Sequence, residues 1–222
     1  MRILLTIYLF IICFSASGQK ANFWIMNQSS STTPLDSIKV NLDTTQLMTV
    51  SQGWVNITGD PHLNVFTVTN TSGAITVTTV SKTNWIAYSG GCAFPNNGNT
   101  SFTAFPAQAV KEVFYSNNGA ANNFDQYNIA KPKFHVTGLK PGSTYTVTIG
   151  GSQTNNFTSN TEFRVIGSIL NGPVTIDCKN NVSTVAKWTS VAPTAGGVID
   201  IYVNSASGQE LNFVSAFTIV EN

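Results

Sequence analysis

A chain of 222 residues with 9% charged side chains and a formal net charge of +1 has no basic stripe, which excludes nucleic acid and anionic membrane as natural partners. Its hydrophobic content of 42% suffices for one generous core or two small ones. Solvent faces must therefore be built from Thr, Ser, Asn and Gln, a surface compatible with neutral polymers such as sugars.

The first eighteen residues read as a secretory signal. Arg2 is the charged start, Ile3 to Cys13 the apolar run, and Phe14-Ser15-Ala16-Ser17-Gly18 the small-residue stretch before a cut at Gln19. The apolar run is about a dozen residues, short of the ~20 a membrane span needs. The expected product is exported to the periplasm, the cell surface or the medium, with no membrane span after cleavage. Cys13 lacks the small residues that precede a lipidated cysteine. Residues 19–36 read as an arm, with apolar Phe23, Trp24 and Ile25 followed by a Ser/Thr linker, and residues 37–222 as a single domain.

Ile38, Val40 and Leu42 alternate with Lys39 and Asn41 and predict the first strand. Leu47 to Ile57, containing Trp54, is a second apolar segment ended by Gly59-Asp60-Pro61. Val65–Thr69 and Ala74–Val80 predict a hairpin through Asn70-Thr71-Ser72-Gly73. Residues 93–131 are long for a loop. Within them, Ala109, Val110, Val113 and Phe114 fall at helical spacing, which predicts a short helix between Pro106 and Tyr115. Tyr145, Val147 and Ile149 alternate with Thr144, Thr146 and Thr148. With Phe134–Thr137 and the Pro141-Gly142 turn they predict a hairpin at the centre of the fold. Short strands then follow over Thr161–Ile166, Val174–Cys178, Val182–Trp188, Val198–Val203 and Phe213–Val220. Roughly ten strands so spaced mean an all-β fold, a two-sheet antiparallel β-sandwich or jelly roll with a short helix in its middle segment.

The segment Val136-Thr-Gly-Leu139-Lys-Pro141-Gly142-Ser-Thr-Tyr145 resembles the closing strands of fibronectin type III domains. Over residues 37–220, Trp54-Val55-Asn56-Ile57-Thr58, Thr161-Glu162-Phe163-Arg164-Val165, Val191-Ala192-Pro193, Ile199-Asp200-Ile201 and Phe213-Val214-Ser215-Ala216-Phe217 resemble a galactose-binding-domain-like sandwich of secreted bacterial proteins. Such modules often accompany carbohydrate-active enzymes, so the resemblance implies carbohydrate or glycoconjugate binding. The matching residues are mostly core and turn positions and argue fold rather than activity. Sandwiches of this type often carry a structural calcium held by backbone carbonyls, which no motif here reports.

Catalytic signals are sparse. No G-x-S-x-G elbow occurs, Gly90-Gly91-Cys92 has no histidine in a partner segment, and the acidic residues form no recognisable pair. His62 sits in a Gly59-Asp60-Pro61-His62 tetrad and His135 in a strand pattern, where a structural role is expected. No metal loop or His/Cys cluster is present, so neither a metal nor another cofactor is expected. Cys92 and Cys178 are either a disulfide or two separate thiols. The Asn-X-Ser/Thr triplets at Asn27, Asn56, Asn70, Asn99, Asn156 and Asn181 are expected by chance in so Asn-rich a chain.

Sugars stack their C–H faces on aromatic rings and meet amides and carboxylates with their hydroxyls. The middle segment holds both kinds of group: Phe94, Phe102, Phe105, Phe124 and Tyr127 with Asn97, Asn123 and Asp125, and Trp85 and Tyr88 just before them. Each aromatic can equally fill the core. Flanking Asn-rich turns single out Asn123, Phe124, Asp125 and Tyr127 as the binding candidates. The expectation is a non-catalytic module with a glycan partner. The alternatives are a surface or adhesive protein with protein partners joined by edge strands, and, less favoured, a hydrolase.

Overall fold

Alternation of apolar and polar residues dictates most of the strands, and the pairing of those strands decides the architecture. The computed structural model describes residues 36–42, 53–61, 63–80, 93–94, 98–117, 133–155, 159–206 and 211–222. All of them fall in the compact unit Pro34–Asn222; the other unit, Met1–Thr33, lies outside the described residues. The strands are β1 (Ser37–Leu42), β2 (Trp54–Ile57), β3 (Thr67–Thr69), β4 (Thr76–Thr79), β5 (Ala93–Phe94), β6 (Val113–Asn117), β7 (Phe134–Thr137), β8 (Tyr145–Gly150), β9 (Asn160–Ile166), β10 (Val174–Asp177), β11 (Ala186–Val191), β12 (Ile199–Ser205), β13 (Leu211–Val214) and β14 (Ala216–Glu221). They form a five-stranded sheet of order β11-β8-β14-β1-β2, a six-stranded sheet of order β10-β9-β12-β7-β4-β3, and a small sheet of order β13-β6-β5. Pairing is antiparallel except between β1 and β2. The fold is the all-β sandwich the sequence predicts.

The two large sheets face each other across one core. Ile38 and Val40 of β1, Val147 and Ile149 of β8, and Phe217 and Ile219 of β14 point inward from one sheet. They meet Val77, Phe134, Val136, Phe163, Val165, Ile199 and Ile201 from the other. Phe134 and Phe217 touch across the interface with ring centroids 4.9 Å apart. Removing a fully buried Phe from such a core costs about 3–5 kcal/mol.

Four of the predicted elements differ. The segment Phe134–Thr137, turn, Tyr145–Gly150 is not a hairpin. β7 lies between β12 and β4 in one sheet, and β8 between β11 and β14 in the other, so the turn crosses from sheet to sheet. The predicted helix shrinks to a single 3₁₀ turn, Ala107–Val110, and Val113 and Phe114 belong to β6. Val113, Phe114 and Tyr115 are all buried, and such a continuous apolar run cannot be told from a helix by periodicity. The predicted strand Phe213–Val220 divides at Ser215: β13 pairs with β6, and β14 with β8 and β1. The predicted strand from Val182 starts instead at Ala186, leaving Val182 half exposed.

Segment 98–112 folds over the outer face of the five-stranded sheet. Phe102, Phe105, Ala109 and Val110 make a second apolar cluster there with Trp54 and Ala216. Trp54 meets Phe105 edge-on at 6.1 Å. A Cβ at Gly150 would lie 2.7 Å from the Phe105 ring and 2.9 Å from Phe102, so only glycine lets this layer close. Phe102 and Phe105 are therefore core residues and drop out of the sugar-stacking candidates.

β4, β8 and β12 end, and β7, β9 and β14 begin, at one end of the sandwich. A buried polar layer closes the sheets there. Asn181 Nδ2 donates to the Gly151 carbonyl at 3.0 Å and to that of Thr184 at 2.7 Å, while its Oδ1 accepts from the Thr184 amide at 2.8 Å. Thr161 Oγ1 accepts from the Phe213 amide at 2.9 Å. These bonds satisfy groups whose burial without partners would cost about 1–3 kcal/mol each.

Candidate functional site

Polar residues that alternate with the core residues of β9, β12 and β7 line the outer face of the six-stranded sheet. On β9, Glu162 and Arg164 alternate with core Thr161, Phe163 and Val165. On β12, Asp200, Tyr202 and Asn204 alternate with Ile199, Ile201, Val203 and Ser205. On β7, His135 lies between Phe134 and Val136. Register sets these groups side by side: Glu162 opposite Asn204, Arg164 opposite Tyr202, and Asp200 between Ile166 and His135. His135 in turn lies opposite Thr78 of β4. The row of Arg164 and Tyr202 continues to Lys133, whose amide donates to the Ile201 carbonyl at 2.8 Å.

An Arg–Glu ion pair and a His–Asp hydrogen bond fix this surface. Arg164 Nε donates to Glu162 Oε1 at 2.7 Å. His135 Nδ1 lies 2.7 Å from Asp200 Oδ1. The side chain of Arg164 is 7% exposed and that of Glu162 20%, while His135 and Asp200 are 42% and 28% exposed. His135, Asp200 and Glu162 are thus the more exposed groups of this face, and Arg164, Tyr202 and Lys133 its buried ones. Burial, and after it the charge of Asp200, pushes the Tyr202 phenol up to about 12, so it remains a neutral hydroxyl at any working pH. Among the described residues, no hydroxyl or thiol hydrogen-bonds to the His135 ring, so no nucleophile is set against it.

The site residues named from sequence, Trp85, Tyr88, Asn97, Asn123, Phe124, Asp125 and Tyr127, lie outside the described residues, as do His62 and Cys92. The segment 118–132 that carries Phe124, Asp125 and Tyr127 joins the described fold at Lys133, in the row just described. Cys178 is a free, fully buried thiol. Its Sγ lies 3.4 Å from Thr161 Oγ1, and burial pushes it up to about 12. Of the glycosylation-type triplets, Asn70, Asn99 and Asn181 each spend their amide nitrogen on a backbone carbonyl, and Asn56 accepts from Asn41 at 3.0 Å. These amides serve the fold.

Sequence reading missed His135, Asp200, Glu162 and Arg164 as one group. Each strand did advertise a polar face, in Glu162 and Arg164 and in Asp200, Tyr202 and Asn204 at spacing two. The order β9-β12-β7, which unites them, is a property of the sheet alone.

No family model matches the chain, and no curated protein matches it. Solved structures with which the chain superposes include two of extracellular or carbohydrate-binding domains. The extracellular domain of ANXUR1 from Arabidopsis thaliana superposes with a TM-score of 0.42 at 13% identity, covering 84% of this chain and 48% of that one. The family 32 carbohydrate-binding module of NanJ from C. perfringens, in complex with galactose, superposes with a TM-score of 0.30 at 16% identity, covering 58% of this chain and 92% of that one. The chain thus spans about half the length of the plant domain it matches.

Proposed function

We propose that the chain is an exported, non-catalytic module that binds carbohydrate or glycoconjugate, with the outer face of the six-stranded sheet as its docking surface. One observation carries this reading. In a chain that is 9% charged, an Arg–Glu ion pair, a His–Asp pair and a buried phenol are gathered on one sheet face, each pair held by its own hydrogen bond. A sugar hydroxyl both donates and accepts. Carboxylate oxygens of Glu162 and Asp200 accept from it, the guanidinium of Arg164 donates to it, and His135, whose Nδ1 is turned to Asp200, offers its other ring nitrogen. Because each group is already held by its neighbour, little side-chain entropy is lost on binding. Phe124, Tyr127, Asn123, Asp125, Trp85, Tyr88 and Asn97, which lie outside the described residues, enter the proposal by residue type alone, as rings and polar groups suited to a sugar. Among the described residues, no helix is long and apolar enough to cross a membrane.

The test is binding of the purified chain to an array of glycans and insoluble polysaccharides, with light scattering on the same sample. The expected result is a saturable interaction that weakens about tenfold in His135→Ala and in Tyr127→Ala, the loss of one hydrogen bond to a charged group or one stacking contact. A blank array with a monomeric protein overturns the reading. A blank array with oligomers or fibres replaces it by the surface-assembly alternative, in which edge strands pair between chains.

A further inference from the structure

Resting on the carbohydrate-binding reading above, we infer that this face selects uncharged glycans and rejects acidic ones. The Arg164–Glu162 pair carries the argument. The Arg164 guanidinium, the natural receptor for a sugar carboxylate, already donates to Glu162 at 2.7 Å, and the Glu162 side chain is 20% exposed against 7% for Arg164. The acidic partner therefore stands nearer to solvent than the cation it neutralises. At the centre of the sheet Asp200, 2.7 Å from His135 Nδ1, is a second carboxylate on the same face, 28% exposed against 42% for His135. A uronate or sialic acid carboxylate approaching Arg164 meets the Glu162 carboxylate before it meets the guanidinium, and like charges that close repel. A neutral hydroxyl meets no such penalty, because it donates to the carboxylate and accepts from the guanidinium beside it. Lys133, nearly buried at the end of the Arg164–Tyr202 row, adds cationic charge only beneath this acidic rim.

The experiment compares retention of the purified chain on immobilised neutral galactan and dextran with retention on polygalacturonate, at low and at high salt. The expected result is retention on a neutral polymer with little salt dependence, and at least about tenfold weaker retention on polygalacturonate, the penalty of one unscreened like-charge contact. Glu162→Gln and Asp200→Asn, which keep side-chain shape and remove the rim charge, should each narrow that ratio. A preference of the unaltered chain for polygalacturonate, or binding abolished by salt, overturns the selectivity and leaves the carbohydrate reading standing. A neutral preference that both variants leave unchanged also overturns it. Failure to retain the chain on any of the three polymers, together with a blank array, removes both readings. The comparison on the unaltered chain decides the question even where a variant fails to fold.

Discussion

Gly138 and Gly142 both hold positive φ, +80° and +88°, yet an added methyl would meet different surroundings. At Gly138 it would lie 1.8 Å from the Ala74 carbonyl oxygen, whereas at Gly142 nothing lies within 4 Å. Gly142→Ala should cost only the left-handed penalty, about 1–2 kcal/mol, and Gly138→Ala clearly more, because the β7–β8 connection must also shift. Urea unfolding of the two variants side by side checks the order. In the same turn the Lys140 amide donates to the Tyr145 hydroxyl at 2.8 Å. The Glu221 carboxylate accepts from Ser143 Oγ at 2.6 Å and from Lys140 Nζ at 3.0 Å. The Ser143 hydroxyl, followed by Lys140, holds Glu221 below its ordinary value despite burial; Glu221 and then Asp36 hold Lys140 above its own. A depressed carboxylate stabilises above its unfolded pKa of about 4.3, and that contribution disappears as pH falls through the folded value. The raised amine contributes below its unfolded value and loses that contribution only in strong alkali. The melting temperature should therefore drop as pH falls below about 4, with a shallower drop in Glu221→Gln. An unchanged slope in the variant would assign the acid sensitivity to other groups. From sequence, Glu221 is only a residue near the C-terminus; its partners are 78 and 81 positions away.

At the scale of elements, segment 98–112 adds a second apolar layer to the outer face of the five-stranded sheet. Phe102 packs on Phe105 at 5.8 Å, and both close over Gly150. Phe102→Ala should destabilise by about 3–5 kcal/mol, as expected for a buried Phe, and denaturant unfolding measures it. A loss under about 1 kcal/mol would mean that the layer contributes little to stability. Strands with one buried face, such as β1, β8, β9 and β12, are legible because period-two alternation survives when the other face meets solvent. β6 is not, since Val113, Phe114 and Tyr115 are all buried and the alternation vanishes. The division of β13 from β14 was equally hidden. Val214, Ser215 and Ala216 continue an apolar pattern, and what ends one strand is the Ser215 backbone, bonded to Gly150 and Leu42 across the other sheet.

For the molecule as a whole, the single large core predicts that Cys178 is shielded until global unfolding. Its sulfur is buried and raised to about 12, so thiolate is scarce in the native state. Iodoacetamide should leave the Cys178 peptide unmodified in native protein and label it in denaturant without added reductant, as read by peptide mass. Labelling under native conditions would show local opening around β10; a need for reductant would show that the thiol is paired. The sequence alone determined the all-β class, the scarcity of charge, and the alternating strands, because composition and period-two patterning are local properties that burial on one face enforces. The expectation of glycan binding came from the resemblance to galactose-binding-like sandwiches and from aromatic and amide residues such as Phe124, Asp125 and Tyr127, which lie outside the described residues. Tertiary structure alone decided that β7 and β8 separate into different sheets and that Phe102 and Phe105 are core. It alone set Glu162, Arg164, Asp200 and His135 beside one another. Those outcomes depend on strand order and register between distant segments, and no residue's neighbours along the chain encode which strand will lie beside it.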